Sequence, residues 1–235
     1  MKAPTLCLGL VLSSCREVPG APVEPPQVRA EGLTATRDDE ARVTAERAEL
    51  LSDGGTRLRG VALSRGGLWV RAPQAEGLSS GAVLFLGGAT AGLGTDAGSV
   101  SDTPDAGVAE PSWALSARRL RLDPRRGVLT LDGEVSLQRG ALSLEAPRVE
   151  VTLDPGGGVA RAVLTGPVSA RTGTAVLRAP GGATVDVEAG TVRLPGPVRL
   201  EQAGVTLTAG GVTLQLSTGA LELTDVRGTL RLAPR

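Results

Sequence analysis

Side chains that could do chemistry are few in this chain of 235 residues. It contains no His and no Tyr, and its positive charge is almost all Arg. Without His, neither a Ser-His-Asp triad nor a metal site with His ligands can form, and general acid–base catalysis lacks its commonest residue. The Asp and Glu side chains fall mostly on the polar positions of alternating stretches. We therefore expect no enzyme, no catalytic residue, no cofactor and no metal site.

Cys15 is the first of two remaining candidates. It follows Lys2, a short apolar run and the small residues Ser13 and Ser14. This pattern is typical of a bacterial lipoprotein signal peptide, in which the cysteine is lipidated; an ordinary signal peptide is the alternative. The interpretation places a signal peptide at 1–15 and a Pro-rich flexible tether at 16–27. It predicts a periplasmic protein anchored by acyl chains, in the inner or the outer membrane.

A dense basic stretch, "SARRLRLDPRR", is the second candidate. Its Arg118, Arg119 and Arg121 are possible phosphate contacts, because guanidinium forks match phosphate oxygens. The alternative is a solvated strand face. The formal net charge of the chain is zero, which argues against nucleic acid as a partner.

Strict alternation of apolar and polar residues identifies the elements that carry these side chains. In "GVTLTAGGVTLQLSTGALEL", residues 204–223, every second residue of each run is aliphatic, a period that sends alternate side chains to opposite faces of a β-strand. A first block at 28–86 shows the same alternation, and we favour strands there, although Ala41 to Leu51 is also compatible with a helix. Residues 87–112 are rich in Gly, Ala and Asp and are predicted to be a linker or insertion.

Residues 113–235 form an internal repeat. Gly133, Gly166, Gly196 and Gly228 align at spacings of 33, 30 and 32 residues. An alanine stands thirteen residues after each of the first three glycines, at Ala146, Ala179 and Ala209. Repeats of about 30 residues indicate short strands joined by tight turns and stacked on one another. The fold class predicted from this pattern is all-β, elongated and either antiparallel or solenoid-like.

The repeat "LRLDPRRGVLTLDGEVSLQRGALSLEAPRVEV" resembles the OstA-type repeat of the LptC/LptA family of lipopolysaccharide export proteins. The first block, "TAERAELLSDGGTRLRGVALSRGGLWVRAPQAE", resembles the membrane-anchored member LptC, and the second block resembles the same member or LptA. LptC carries a transmembrane helix where this chain has the Cys15 signal, and the segment 87–112 has no counterpart in the family pattern. These two departures concern the type of subunit more than the fold.

The resemblance implies an open, V-shaped β-jellyroll whose apolar interior shelters acyl chains of lipopolysaccharide. It also implies transfer from the inner-membrane extractor toward the outer membrane, and edge-strand pairing with other β-jellyroll proteins and the inner-membrane export complex. The strand from Gly228 to Leu232 is a candidate docking edge, because its backbone groups lack a partner strand.

Alternating aliphatic residues are the candidates for the lipid-binding groove. Their set is Val61, Leu63, Leu129, Leu131, Val135, Leu137, Leu142, Leu144, Val149, Val151, Val198, Leu200, Val205, Leu207, Leu214 and Leu216. The alternative is that these side chains fill a closed core and touch no ligand, since alternation is first a packing signal. In that case the protein is a structural or adhesin-like β-repeat surface lipoprotein.

Overall fold

The computed structural model describes residues 29–36, 41–51, 54–78, 80–93 and 113–230. Cys15, the signal peptide at 1–15 and the tether at 16–27 lie outside the described residues, so these assignments stay predictions. Within the described residues no helix has the length and apolarity needed to cross a bilayer.

Sixteen strands join in one sheet. In chain order they are β1 (Arg29–Thr36), β2 (Arg42–Leu50), β3 (Thr56–Arg65), β4 (Leu68–Gly77), β5 (Val83–Leu93), β6 (Trp113–Asp123), β7 (Val128–Arg139), β8 (Leu142–Leu153), β9 (Val159–Thr165), β10 (Val168–Thr172), β11 (Ala175–Ala179), β12 (Ala183–Asp186), β13 (Thr191–Gln202), β14 (Val205–Gln215), β15 (Leu221–Thr224) and β16 (Arg227–Leu230).

The topology is an antiparallel meander. Strands β1 to β8 each pair with the next one along the chain. We call each crossing of the sheet by the chain a pass. After β8, three passes are each divided into two short strands, namely β9 and β10, β11 and β12, and β15 and β16. One half of β8 therefore pairs with β10 and the other with β9, and β14 in the same way pairs with both β15 and β16. Consecutive passes thus remain neighbours across the whole sheet, which is the connection that short turns favour.

Nearly every pass is bent near its middle. In β7 and β8 the pairing jumps from Asp132↔Arg148 to Val135↔Ala146, and in β13 and β14 it shifts between Pro195 and Val198. Irregularities of this kind bend a sheet and raise its local twist. The sheet folds along this line of bends into two arms. The upper arm ends in the turns at 66–67, 140–141, 173–174 and 203–204, and the lower arm ends in those at 51–55, 78–82, 124–127, 154–158, 187–190 and 216–220.

The repeated glycines lie at the bend because neighbouring strands pass very close to one another there. A Cβ atom added to Gly196 would stand 1.8 Å from the carbonyl oxygen of Gly210, and one added to Gly166 would stand 2.8 Å from Cγ of Pro147. Prolines are tolerated at the bend because the hydrogen-bond ladder between strands is already interrupted there, so the missing N–H of proline breaks no further hydrogen bond. Pro147, for example, is skipped by the pairing of β7 with β8. The Gly and Ala-Pro repeat in the sequence therefore marks the fold line.

One hydrophobic core lies between the two arms. Its members come from both sides of the bend and include Val70, Phe85, Leu120, Leu144 and Leu214, each at most 1% exposed. Two facing sheets pack about 10 Å apart, which slender aliphatic side chains can fill. The all-β antiparallel fold class predicted from alternation is thus confirmed.

One sequence-based boundary is wrong in detail. The linker predicted from residue 87 begins too early, because β5 continues to Leu93 and its inward residues Ala89, Ala91 and Leu93 still alternate. The small alanines and the pair Gly87-Gly88 conceal that alternation in the sequence. The helical alternative at 41–51 is also wrong, because β2 covers this stretch as an extended strand.

The first block and the repeats form one sheet. Strands β5 and β6 pair along their length, from Val83↔Leu122 to Leu93↔Trp113. The sequence left open whether 28–86 and 113–235 were separate units, and this ladder joins them. The final strand ends at Leu230 among the described residues, so the remainder of the docking edge predicted at 228–232 lies outside them.

Candidate functional site

The inner faces of the two arms form the candidate site. Along each arm, every second residue points inward, and nearly all of these residues are apolar, mostly Val, Leu and Ala. At the bend the spacing of inward residues becomes three, as from Ala146 to Val149, or four, as from Leu131 to Val135. The change of spacing keeps the apolar side chains on the same face before and after the bend. The result is an uninterrupted apolar surface that continues from one arm into the other.

Thirteen of the predicted groove residues point into this interior and are buried. These are Val61, Leu63, Leu129, Leu131, Val135, Leu137, Leu142, Leu144, Val149, Val151, Val198, Leu200 and Leu214. The other three, Val205, Leu207 and Leu216, are partly buried; Leu207 and Leu216 pack against the same cluster, and Val205 begins β14. The structure therefore brings the set together around one interior. Whether these side chains bind lipid stays a prediction.

The sequence analysis missed more than half of the inward residues. Leu120 and Leu122 on β6, Leu177 on β11 and Leu194 on β13 are all buried in the same cluster. Leu177 and Leu194 stand in short runs that end at a proline, and Leu120 follows a change of spacing at Arg118-Arg119. Allowing one spacing of three or four within each run would have recovered them.

Arg118, Arg119 and Arg121 lie on the outer face of β6, where all three are exposed. Their inward neighbours Leu120 and Leu122 are buried, so the guanidinium groups and the apolar interior are on opposite faces of the sheet.

Two of these arginines have acidic neighbours. Arg118 forms an ion pair with Glu134 on β7, and Arg119 lies opposite Asp132 in the ladder. Asp132 in turn accepts a hydrogen bond of 3.2 Å from Arg148. The outer face therefore carries cross-strand charge pairs, and a phosphate contact of these arginines stays a prediction.

A groove of about 820 Å³ runs along the bend where β7, β8, β10 and β11 lie side by side. Exposed side chains of Pro147, Pro167 and Pro180 line it, together with Glu145 and Arg178. These residues alternate with inward ones, so the groove belongs mainly to the outer face of the bend. No group of three or more metal-ligating side chains occurs among the residues that the structure describes.

Comparison with known proteins shows a similarity of part of the chain to one family. Residues 114–220 match the family described as LptA/(LptD N-terminal domain) LPS transport protein. A search of curated proteins found no match. Matching chains of solved structures number 28. They include the crystal structure of LptH, described as the LptA homologous periplasmic component of the conserved lipopolysaccharide transport device from Pseudomonas aeruginosa. That likeness has 17% sequence identity and a TM-score of 0.43, and it covers 51% of this chain and 95% of LptH.

The family match begins at the second residue of β6 and ends just before β15, so it covers most of the repeat region and none of β1 to β5. The LptC-like character predicted for the first block therefore stays a prediction. The similarity to the LptA/(LptD N-terminal domain) LPS transport protein family thus extends over residues 114–220, a little less than half of the chain.

Proposed function

We propose that this protein is a periplasmic component of lipopolysaccharide transport whose interior shelters acyl chains between the two arms. The observation that carries the proposal is the uninterrupted apolar inner face, which extends from the first block through the region matched to the transport family. The role needs shape and apolar surface rather than a reactive side chain, so we infer a carrier and not an enzyme.

The energetics of such a carrier are favourable. Moving a twelve-carbon chain from water into an apolar groove gains about 8–10 kcal/mol, at roughly 0.8 kcal/mol per methylene. A chain leaving a bilayer or a similar groove loses about the same amount. Transfer between matched apolar interiors is then close to isoenergetic, and direction comes from the partner that supplies the lipid. The proposed course runs from the inner-membrane extractor toward the outer membrane.

The proposal includes an anchor and partners. Lipidation of Cys15 would hold the chain at a membrane, which residues 16–27 would span as a tether. Among the described residues, the two ends of the sheet, β1 on one side and β15 with β16 on the other, each pair with other strands along only one edge. Unpaired edges accept a further strand, so these ends are proposed to join other β-jellyroll proteins and the inner-membrane export complex.

Phosphate contacts are the part of the proposal that concerns the outer face. Arg119 and Arg121 would meet phosphates of lipid A or the core sugars, with Arg118 held near Glu134. Replacing Arg121 by Gln is expected to weaken lipopolysaccharide binding about fivefold at low salt and less at high salt, because exposed charges are screened. Unchanged binding at low salt would leave Arg121 as an ordinary solvated side chain.

Photo-crosslinking from the interior tests the central claim. A photoreactive phenylalanine analogue is placed at Leu144, which is fully buried, or at Leu207, which is partly buried. After illumination in cells, both positions should yield an adduct with lipopolysaccharide. The matched controls are the outward positions Glu145 and Thr208, which are exposed on the same strands. Adducts from the outward positions alone, or from none, would contradict the proposal.

One observation favours a second function. The thirteen buried groove residues are each at most 8% exposed, as expected of a closed core in a structural or adhesin-like surface lipoprotein. That function predicts no adduct from Leu144 and assembly of purified chains through their sheet edges. Crosslinking and size-exclusion chromatography of the same preparation separate the two candidates.

A further inference from the structure

Among the described residues, turns at the ends of the two arms approach each other closely at two places. Because the sheet folds at the middle of its strands, both arms end at the same open side, which we call the mouth. We propose that these turn-to-turn contacts are clasps that hold the mouth shut, and that their opening controls entry of acyl chains to the interior. The inference rests on the proposed function, because it concerns regulation of the same apolar site.

The first clasp consists of Gly66 and Gly67, between β3 and β4, with Gly156 and Gly157, between β8 and β9. The N–H of Gly67 donates a hydrogen bond of 3.2 Å to the carbonyl oxygen of Gly156. One turn ends the upper arm and the other ends the lower arm. Since β4 and β8 are four strands apart in the sheet, only the fold at the bend can bring these turns together.

Glycine is required for the clasp to close. A Cβ atom at Gly66 would lie 2.7 Å from the carbonyl oxygen of Gly156. A Cβ atom at Gly157 would lie 3.2 Å from the carbonyl oxygen of Arg65 and 3.2 Å from the nitrogen of Gly67. All of these atoms belong to the backbone and cannot rotate away. Any side chain at either position would therefore push the two turns apart.

The second clasp is a less close approach. It lies between Thr172, at the end of the upper arm, and Gly219, at the end of the lower arm. A Cβ atom at Gly219 would be 3.7 Å from Oγ1 of Thr172, an ordinary van der Waals distance. At Gly140 and Gly190, in two other turns at the mouth, an added Cβ atom would meet no atom within 4 Å.

The clasps account for how a filled interior can serve as a binding site. The inner side chains are almost fully buried, so a lipid tail has room only when the arms separate. The contacts described for the first clasp are one backbone hydrogen bond and a small patch of glycine contacts, and a closure of this size opens locally without unfolding the sheet. The first clasp also connects the first block to the family-matched region, so both parts take part in opening.

A glycine substitution should open the mouth without lipid. In a chain with Cys7 and Cys15 changed to Ser, a reporter thiol is introduced by Val151→Cys, at a fully buried inward position close to the first clasp. Gly157→Ala should speed maleimide labelling of this thiol about tenfold, the effect of losing one hydrogen bond and its contacts. Gly204→Ala is the matched control: its φ of 82° is close to the 84° of Gly157, and its Cβ atom would meet nothing within 4 Å. Equal labelling rates for the two variants would overturn the clasp.

A reversible lock tests control of lipid entry. Gly67→Cys with Gly156→Cys, in the chain that lacks Cys7 and Cys15, places two thiols on residues joined by a hydrogen bond of 3.2 Å, and a disulfide needs such close neighbours, with Cα atoms about 4.4–6.8 Å apart. The probe is 11-(dansylamino)undecanoic acid, followed by its fluorescence. Oxidation should slow uptake at least about tenfold, and a reductant should restore it.

The outcomes separate the two proposals. Uptake at equal rates in the oxidised and reduced protein would overturn the clasp as a gate and leave the carrier function standing. No uptake in either state, combined with faster thiol labelling in Gly157→Ala, would overturn the carrier function and support the clasp. Slower uptake on oxidation supports both.

Discussion

Close approach of backbones at the bend gives single glycines a large effect. At Gly196 an added Cβ atom would lie 1.8 Å from the oxygen and 2.3 Å from the carbon of the Gly210 carbonyl. Gly196→Ala is therefore expected to lower the free energy of unfolding by about 1–3 kcal/mol, the usual cost of overpacking, measured by urea denaturation.

The neighbouring pass offers a matched control. Gly181 also lies at the bend, but its added Cβ atom would be 3.8 Å from the nearest atoms, which belong to Pro195. Gly181→Ala should change the free energy of unfolding by no more than about 0.5 kcal/mol. Equal destabilisation by both substitutions would mean that loss of glycine flexibility, and not close contact, decides the cost.

At the scale of the strand, the position of proline relative to the bend decides whether it is tolerated. Pro147 is skipped by the ladder between β7 and β8, whereas Glu145, two residues earlier, pairs with Ser136 on one side and Ser169 on the other. Glu145→Pro should lower the free energy of unfolding by about 3 kcal/mol, because the ring removes an N–H from a central strand. Pro147→Ala should change it by no more than about 1 kcal/mol. Thermal unfolding followed by circular dichroism distinguishes the two.

The strands also show how far the sequence predicts this structure. Alternation predicted the inward rows of β7 and β8 correctly because Val and Leu at every second position leave one possible inner face. It failed at Ala89 and Ala91 of β5, where inward residues are too small to stand out from the glycines beside them. It also gave no sign of the bend, because a shift in spacing at Gly or Pro resembles a turn. The clasps could not be predicted, since they join turns distant in sequence.

At the scale of the whole molecule, the ladder between β5 and β6 and the first clasp join the first block to the repeats, so we expect the two parts to unfold as a single cooperative unit. The chain contains two Trp residues, one in each part. Trp69 lies on the outer face of β4 with the guanidinium of Arg71 at 5.7 Å, and Trp113 is buried at the start of β6. Trp69→Phe and Trp113→Phe thus leave one fluorescent reporter in either part.

In each of these two variants, denaturation curves from tryptophan fluorescence and from far-ultraviolet circular dichroism should coincide, because a single cooperative transition moves every probe together. Comparing the two probes within one variant removes the effect of the substitution itself on stability. If Trp69 instead reports an earlier midpoint than circular dichroism does, the first block unfolds by itself. The inner apolar surface would then be divided at β5 and β6, and a lipid tail could not pass along it without crossing a boundary between two independently moving parts.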